Sequence, residues 1–398
     1  MKLRKLTAGL LCMSVLAGTM AGCSSQAKTE PAATTEAAQK EETSEKADET
    51  AGESKEEEAK TGATRTITDH TGVQVEIPEN PERIVISSIL PLPSVYCLYR
   101  GSVEGLVGMH PSSMAAAQNS YLTTVYPEIE DVDTSFVEGG EVNIEQLMNL
   151  KPDVVFYNAS NAEERQMYDN AGITAVGFST TMADFNTIET YANWIDLLGQ
   201  IFGGSEKADE IIEYGRSVEA AVLEKTKELP EGEKPRVLIL FNYANGIIKT
   251  SGSKFFGQYW IDSAGGINVA KDLTGQAEIN MEQIYEWDPD MIFITNFAPV
   301  LPEDLYNNAI EGNDWSNVKA VREKQVYKFP LGMYRWFPPS SDTPLSLMWL
   351  AKTIQPKLFE DIDMDQEIKD YYKKYYNEDL TDEDLYTIYH PTREAAGV

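Results

Sequence analysis

The stretch LGMYRWFPPSSD, residues 331–342, sets Tyr334, Arg335 and Trp336 side by side. An arginine offers a planar fork of donors for carboxylate or catecholate oxygens, and aromatic neighbours flank it with flat apolar plates. That combination suits a large planar chelate with anionic edges. The competing reading is structural: Tyr334 and Trp336 pack on the last helix, and Arg335 pairs with a surface acid. Two further ligand candidates stand apart, Tyr243 in NYANG and His110 in MHPSS. A histidine there could ligate a metal, donate a hydrogen bond, or be a satisfied polar residue. Catalytic patterns are missing: there is no G-x-S-x-G, no H-E-x-x-H and no glycine-rich phosphate loop before a helix. Three cysteines and three histidines, His70, His110 and His390, are too few and too scattered for a zinc cluster or a bare-metal site. The chain therefore reads as a binding protein and not as an enzyme.

Such loops need strands to hold them. TITDHTGVQVEIP reads as a hairpin, and RIVISS and GLVGM as short buried strands with helical spacing between them. SSILPLPS and MHPSS then follow strand ends, NYANG follows RVLILF, and the Tyr334 loop follows VYKFP. One element is written twice. VNIEQLMNLKPDVVFYN and INMEQIYEWDPDMIFITN align 137 residues apart, Asn143 over Asn280, Pro152 over Pro289 and Asp153 over Asp290. Each copy implies an Asn-capped helix, a Pro-Asp break and a strand; Glu145 and Glu282 fit first-turn acids. That spacing is too long for a solenoid and marks two similar domains. Between the two series runs a long helix from Ser205, its expected cap, to about Leu229, with Ala208, Ile211, Ile212, Val218 and Val222 on one face. At 1.5 Å per residue it spans about 35 Å. The expected fold class is α/β: two similar lobes with mainly parallel sheets, residues 65–202 and 230–398, joined by one long rigid helix, 203–229. The ligand cleft lies between the lobes, beyond the carboxyl ends of the strands.

The N-terminal residues explain where such a protein would work. Lys2, Arg4 and Lys5, an apolar run and small residues before Cys23 make residues 1–22 a signal peptide. The Ala21-Gly22-Cys23 order resembles the lipobox of bacterial lipoproteins, with Cys23 as the lipidated residue. Residues 23–64 are rich in Ala, Thr, Ser, Glu and Lys without an aromatic, and read as a disordered acidic tether. The remaining body is large enough for two domains. Cys97 has no partner, so stability rests on no disulfide. The formal charge is −31, and −34 without the three basic residues of the signal. That balance argues against nucleic acid and against a polybasic membrane contact.

The opening TITDHTGVQVEIPENPERIVISS, the duplicated element, SAGGINVAKD, WSNVKAVREKQVYKFP and PLSLMWLAKTIQPKLF stand in a characteristic order. Together they resemble the substrate-binding lipoproteins of ABC importers for ferric siderophores, haem and corrinoids, the class III periplasmic binding proteins. The resemblance covers nearly the whole folded region. It implies a monomer on the extracytoplasmic face of the cytoplasmic membrane, without a cofactor, that hands a metal chelate to an ABC permease and its ATPase. A ferric siderophore is the ligand favoured, then a corrinoid, then haem; a sensor lipoprotein that has lost transport is the remaining alternative. The resemblance also implies one acidic residue on the outer surface of each lobe for docking to the permease. With Ser160 and Glu163 as a capping box, Glu164 is left facing solvent in the first lobe. Glu303 takes that place in the second, with Asp304 as its substitute.

Overall fold

A computed structural model describes residues 63–397. The signal, Cys23 and all but the last two residues of the expected tether lie outside the described residues. Thr64–Thr68 and Gln74–Pro78 form the opening hairpin, antiparallel. The first lobe is built on four parallel strands in the spatial order Leu106–Met109, Ile84–Ile86, Val154–Asn158 and Ala175–Phe178. These strands are almost wholly buried, as parallel strands covered on both faces must be.

The second lobe departs from a mainly parallel sheet. Its order is Gln276–Ile279, Ile247–Ser251, Arg236–Ala244, Met291–Ile294 and Val326–Lys328, with Ile267–Asn268 pairing alongside Arg236–Ala244. The last three of that series are parallel, whereas Ile247–Ser251 is antiparallel to both of its neighbours. Asn245 and Gly246 both have positive φ, 53° and 79°, the two-residue turn that suits the right-handed twist of a hairpin. NYANG is therefore strand and turn rather than a loop beyond a strand.

The duplicated element is a strand-docking device. Asn143 caps helix Ile144–Asn149 and Asn280 caps helix Met281–Trp287, the latter in a full capping box with Gln283. Asp153 accepts hydrogen bonds from the Glu82 and Arg83 amides, while Asp290 accepts one from the Arg236 amide. The Arg83 and Arg236 guanidinium groups donate to the Leu150 and Trp287 carbonyls at the ends of those helices. In each lobe one Pro-Asp step thus ties the repeated strand to the lobe's first strand.

Between the sheets in sequence lie helices Thr187–Phe202 and Ser205–Thr226. Gly204, with a φ of 95°, stands at the N-cap of the second, so Ser205 is its first residue and not its cap, and no side chain caps it. Both pack against each other and against helix Thr343–Ile354. A single apolar core runs through these helices from Ile86 and Phe156 of the first lobe to Ile239 and Phe293 of the second. An opening of the lobes would expose part of that core, which costs roughly 25 cal/mol per Å². Smaller cores sit on the outer face of each sheet. No helix among the described residues is long and apolar enough to cross a membrane.

Candidate functional site

At the carboxyl ends of strands from both lobes lies a cavity of about 290 Å³. From the first lobe come Ser88 to Pro91 after strand Ile84–Ile86, Asn158 at the end of its strand, Thr180, Phe185 and Trp194. From the second come Phe241, Phe255, Phe256, Gln276, Phe297, Tyr334, Phe337, Pro338 and Pro339. No charged side chain lines it. The aromatic rings of the second lobe form one packed set. Phe241 stands 5.3 Å from Phe255, 5.1 Å from Phe297 and 5.6 Å from Phe337, centroid to centroid. The Trp194 indole donates to the Ser179 carbonyl at 2.7 Å and Trp260 to the Phe337 carbonyl at 2.7 Å, which fix the two walls.

The loop that carries Tyr334 is held from several sides. Asn296 donates to the Phe329 and Pro330 carbonyls. The Leu331 amide donates to the Ile388 carbonyl, and the Tyr121 amide of the first lobe donates to the Gly332 carbonyl at 2.8 Å. Tyr334 lies at the cavity wall, 3% exposed, and its hydroxyl has no hydrogen-bond partner. Burial raises its pKa, so the phenol is a neutral donor.

The other expected ligand residues are not brought to this cavity. Arg335 is 5% exposed; its Nε and Nη2 donate to the Ala395 carbonyl at 3.2 and 2.9 Å. Its guanidinium sits 4.5 Å from the Phe297 ring centre and 5.7 Å from that of Tyr334. It therefore supports the aromatic wall from behind rather than offering a fork to a ligand. Trp336 is fully buried, edge-on to Trp349, in the shared core. Tyr243 is a strand residue in the outer core of the second lobe, 5.9 Å from Trp315 between ring centres.

His110 is the cap of helix Pro111–Gln118, its Nδ1 accepting from the Ser112 amide at 3.0 Å. It faces a separate hollow with Ser87, Glu163 and Glu164, and burial lowers its pKa, which favours the neutral ring. Among the described residues no three His, Cys, Asp or Glu side chains are placed to hold a metal ion.

The acids also move. Asn161, not Ser160, caps helix Ala162–Ala171. This shift by one residue turns Glu164 inward, where it is 6% exposed. It accepts from the hydroxyls of Ser87, Ser88 and Tyr168 and from the side-chain Nδ2 of Asn161. The expectation that Glu164 faces solvent is corrected; Glu163 does so instead. In the second lobe Glu303 is exposed, while Asp304 is held by both arms of Arg393 at 2.7 Å. The cavity residues that the sequence reading passed over are mostly phenylalanines. The adjacent Phe255-Phe256 pair, at a helix start after a hairpin, was the available signal.

The sequence pattern of the family described as "Periplasmic binding protein" matches residues 95–331. A solved periplasmic solute binding protein from Veillonella parvula superposes with a TM-score of 0.74 at 36% identity, over 82% of this chain and 97% of that one. The molybdate-binding protein MolA of Haemophilus influenzae is 26% identical over 332 residues, 79% of this chain and 91% of its own. The iron(3+)-hydroxamate-binding protein YxeB of Bacillus subtilis is 21% identical over 265 residues, 64% of this chain and 74% of its own. With a cleft at the strand ends of two lobes and a family pattern over more than half its length, the chain belongs to the class III periplasmic binding proteins, the extracytoplasmic solute-binding components of ABC transporters.

Proposed function

We propose that this protein captures a neutral iron chelate, a ferric siderophore of the trihydroxamate kind, and delivers it to an ABC permease and its ATPase. The observation that carries this reading is the cavity wall: eight aromatic side chains, neutral polar groups and no charge. Burying an unpaired anionic edge against such a wall is costly, and a chain of formal charge −31 repels polyanions at a distance. A trihydroxamate fills the coordination sphere of its iron and needs no ligand from the protein. Haem and corrinoids lose the axial ligand that His110 would have supplied, because His110 faces another hollow. A volume of about 290 Å³ lies at the small end of ligand sites, so one face of the chelate would enter and the rest stay in solvent.

Lipid on Cys23 would keep the protein at the membrane. The exposed first-turn acids Glu163 and Glu303, which follow the repeated strands of the two lobes, are the surface we assign to permease docking. A second reading, a small oxyanion, is favoured by the likeness to MolA and by the unpartnered Tyr334 hydroxyl in the wall.

Trp194 supplies the test. A ferric trihydroxamate in the cleft should quench its emission, and Trp194→Phe should remove most of that quenching while calorimetric affinity persists. Quenching by molybdate and none by the chelate would select the second reading. Chelate binding that leaves Trp194 emission untouched would place the site elsewhere.

A further inference from the structure

Behind the Tyr334 loop is a carboxyl group that the ligand reading does not use. Asp342, at the start of helix Thr343–Ile354, is fully buried, and its own side chain caps nothing. Its Oδ2 accepts from the Tyr334 amide at 3.2 Å and its Oδ1 from the Tyr372 hydroxyl at 3.3 Å. The Met333 amide and the Trp336 indole N–H, which has no acceptor of its own, lie close enough to favour its charged form. A Cβ on Gly332 would come within 2.8 Å of both Asp342 Oδ2 and Trp336 Nε1, so glycine leaves the loop room to fold over the carboxylate. Each of these donors belongs to residues 333–336 or to the helix Met364–Tyr376 beneath them. The same loop gives the cavity Tyr334, Phe337, Pro338 and Pro339.

We propose that Asp342 is a positioning residue for ligand capture: its carboxylate pins the backbone at Tyr334 and so holds the second lobe's wall in its binding shape. The proposal rests on the cleft being the ligand site. The pin is sensitive to protons because protonation replaces charge-assisted bonds from the Tyr334 amide and its neighbours with weaker neutral ones, and can reverse the Oδ1 bond, since the Tyr372 hydroxyl accepts as well as donates. Burial pushes the Asp342 pKa up to about 7. The titratable groups packed around it are phenols, Tyr191 from helix Thr187–Phe202 and Tyr371, Tyr372 and Tyr376 from Met364–Tyr376, each with its pKa raised well above the usual value by burial. Arg335, the nearest cation in sequence, is turned to the Ala395 carbonyl. No phenol competes with Asp342 for the proton near neutrality.

The test uses the ligand-free protein first. With 3-fluorotyrosine incorporated and the signals assigned by Tyr334→Phe and Tyr243→Phe, the Tyr334 resonance should shift between pH 5.5 and 8.5. The Tyr243 resonance should not, and Asp342→Asn should abolish the dependence. A pH-independent Tyr334 signal in the unsubstituted protein would overturn the proposal, even if Asp342→Asn failed to fold. The second arm is affinity for a ferric trihydroxamate. It should fall about tenfold in Asp342→Asn, the scale of one hydrogen bond to a charged acceptor. It should also weaken in the unsubstituted protein as pH drops below 7. A moving Tyr334 signal with no chelate bound at any pH would refute the trihydroxamate reading and support the pin. Chelate bound with equal strength by both forms at every pH would refute the pin and leave that reading intact.

Discussion

Glu164 separates a docking acid from a structural one, and Glu164→Ala is the perturbation that decides. The carboxylate joins the end of strand Ile84–Ile86, through Ser87 and Ser88, to the start of helix Ala162–Ala171, through Asn161, and to Tyr168 within it. Truncation leaves the Tyr168 hydroxyl, fully buried, without an acceptor, and frees Ser87 to rely on the Phe156 carbonyl alone. Each buried donor left unpaired costs about 1–3 kcal/mol, and the Asn161 and Ser88 bonds add a smaller part because solvent can replace them. We expect a total loss of about 2–4 kcal/mol. Glu163→Ala, on the exposed side of the same turn, should stay within about 0.5 kcal/mol. In urea, with a slope near 3 kcal/mol per molar, Glu164→Ala should lower the unfolding midpoint by about 1 M. A midpoint within about 0.2 M of the unsubstituted protein, on that same slope, would mean that the inward-facing hydrogen bonds do not form.

Other outcomes follow from the same geometry. The Asp342 carboxyl is raised from 3.8 to about 7 in the folded protein, so between those values the native state keeps a proton that the unfolded chain has lost. Its stabilising contribution is fully present below about pH 4 and fades as pH rises through about 7, on the order of 4 kcal/mol in all; Asp342→Asn should flatten that part of the stability profile. Trp336→Ala should cost about 3–5 kcal/mol of stability by emptying the shared core, while the protein that remains folded binds chelate through the other wall residues; near-native stability with lost binding would return Trp336 to the cleft. Cys23→Ser should release the protein from the membrane fraction, and retention after a high-salt wash would remove Cys23 as the anchor.

What could be read in the sequence was periodic or repeated. The duplicated Asn cap and Pro-Asp step specify hydrogen bonds within a few residues of themselves, and they reappear in both lobes at Asp153 and Asp290. The long helix showed itself by its apolar spacing. The failures lie where direction is set by tertiary contacts. Tyr334, Arg335 and Trp336 are consecutive in an irregular loop, where neither the period of a strand nor that of a helix says which side chain faces the cleft. One of the three lines it, one stacks behind it and one lies in the core. Tyr243 follows the apolar run RVLILF and so looks like loop in sequence, yet the Asn245-Gly246 turn makes it part of a hairpin strand. Ser160 and Asn161 are both good caps, and the choice between them rotates Glu164 by about 100° around the helix; tertiary packing selects Asn161.

An uncharged aromatic wall should select an uncharged chelate. The most direct measurement compares affinities for two ferric complexes of similar size, a neutral trihydroxamate and a trianionic tricatecholate, at one pH and ionic strength. The trihydroxamate should bind at least about 100-fold more tightly, the equivalent of about 2.8 kcal/mol for an anionic edge left without a cationic partner. Equal affinities, or a preference for the tricatecholate, would contradict it.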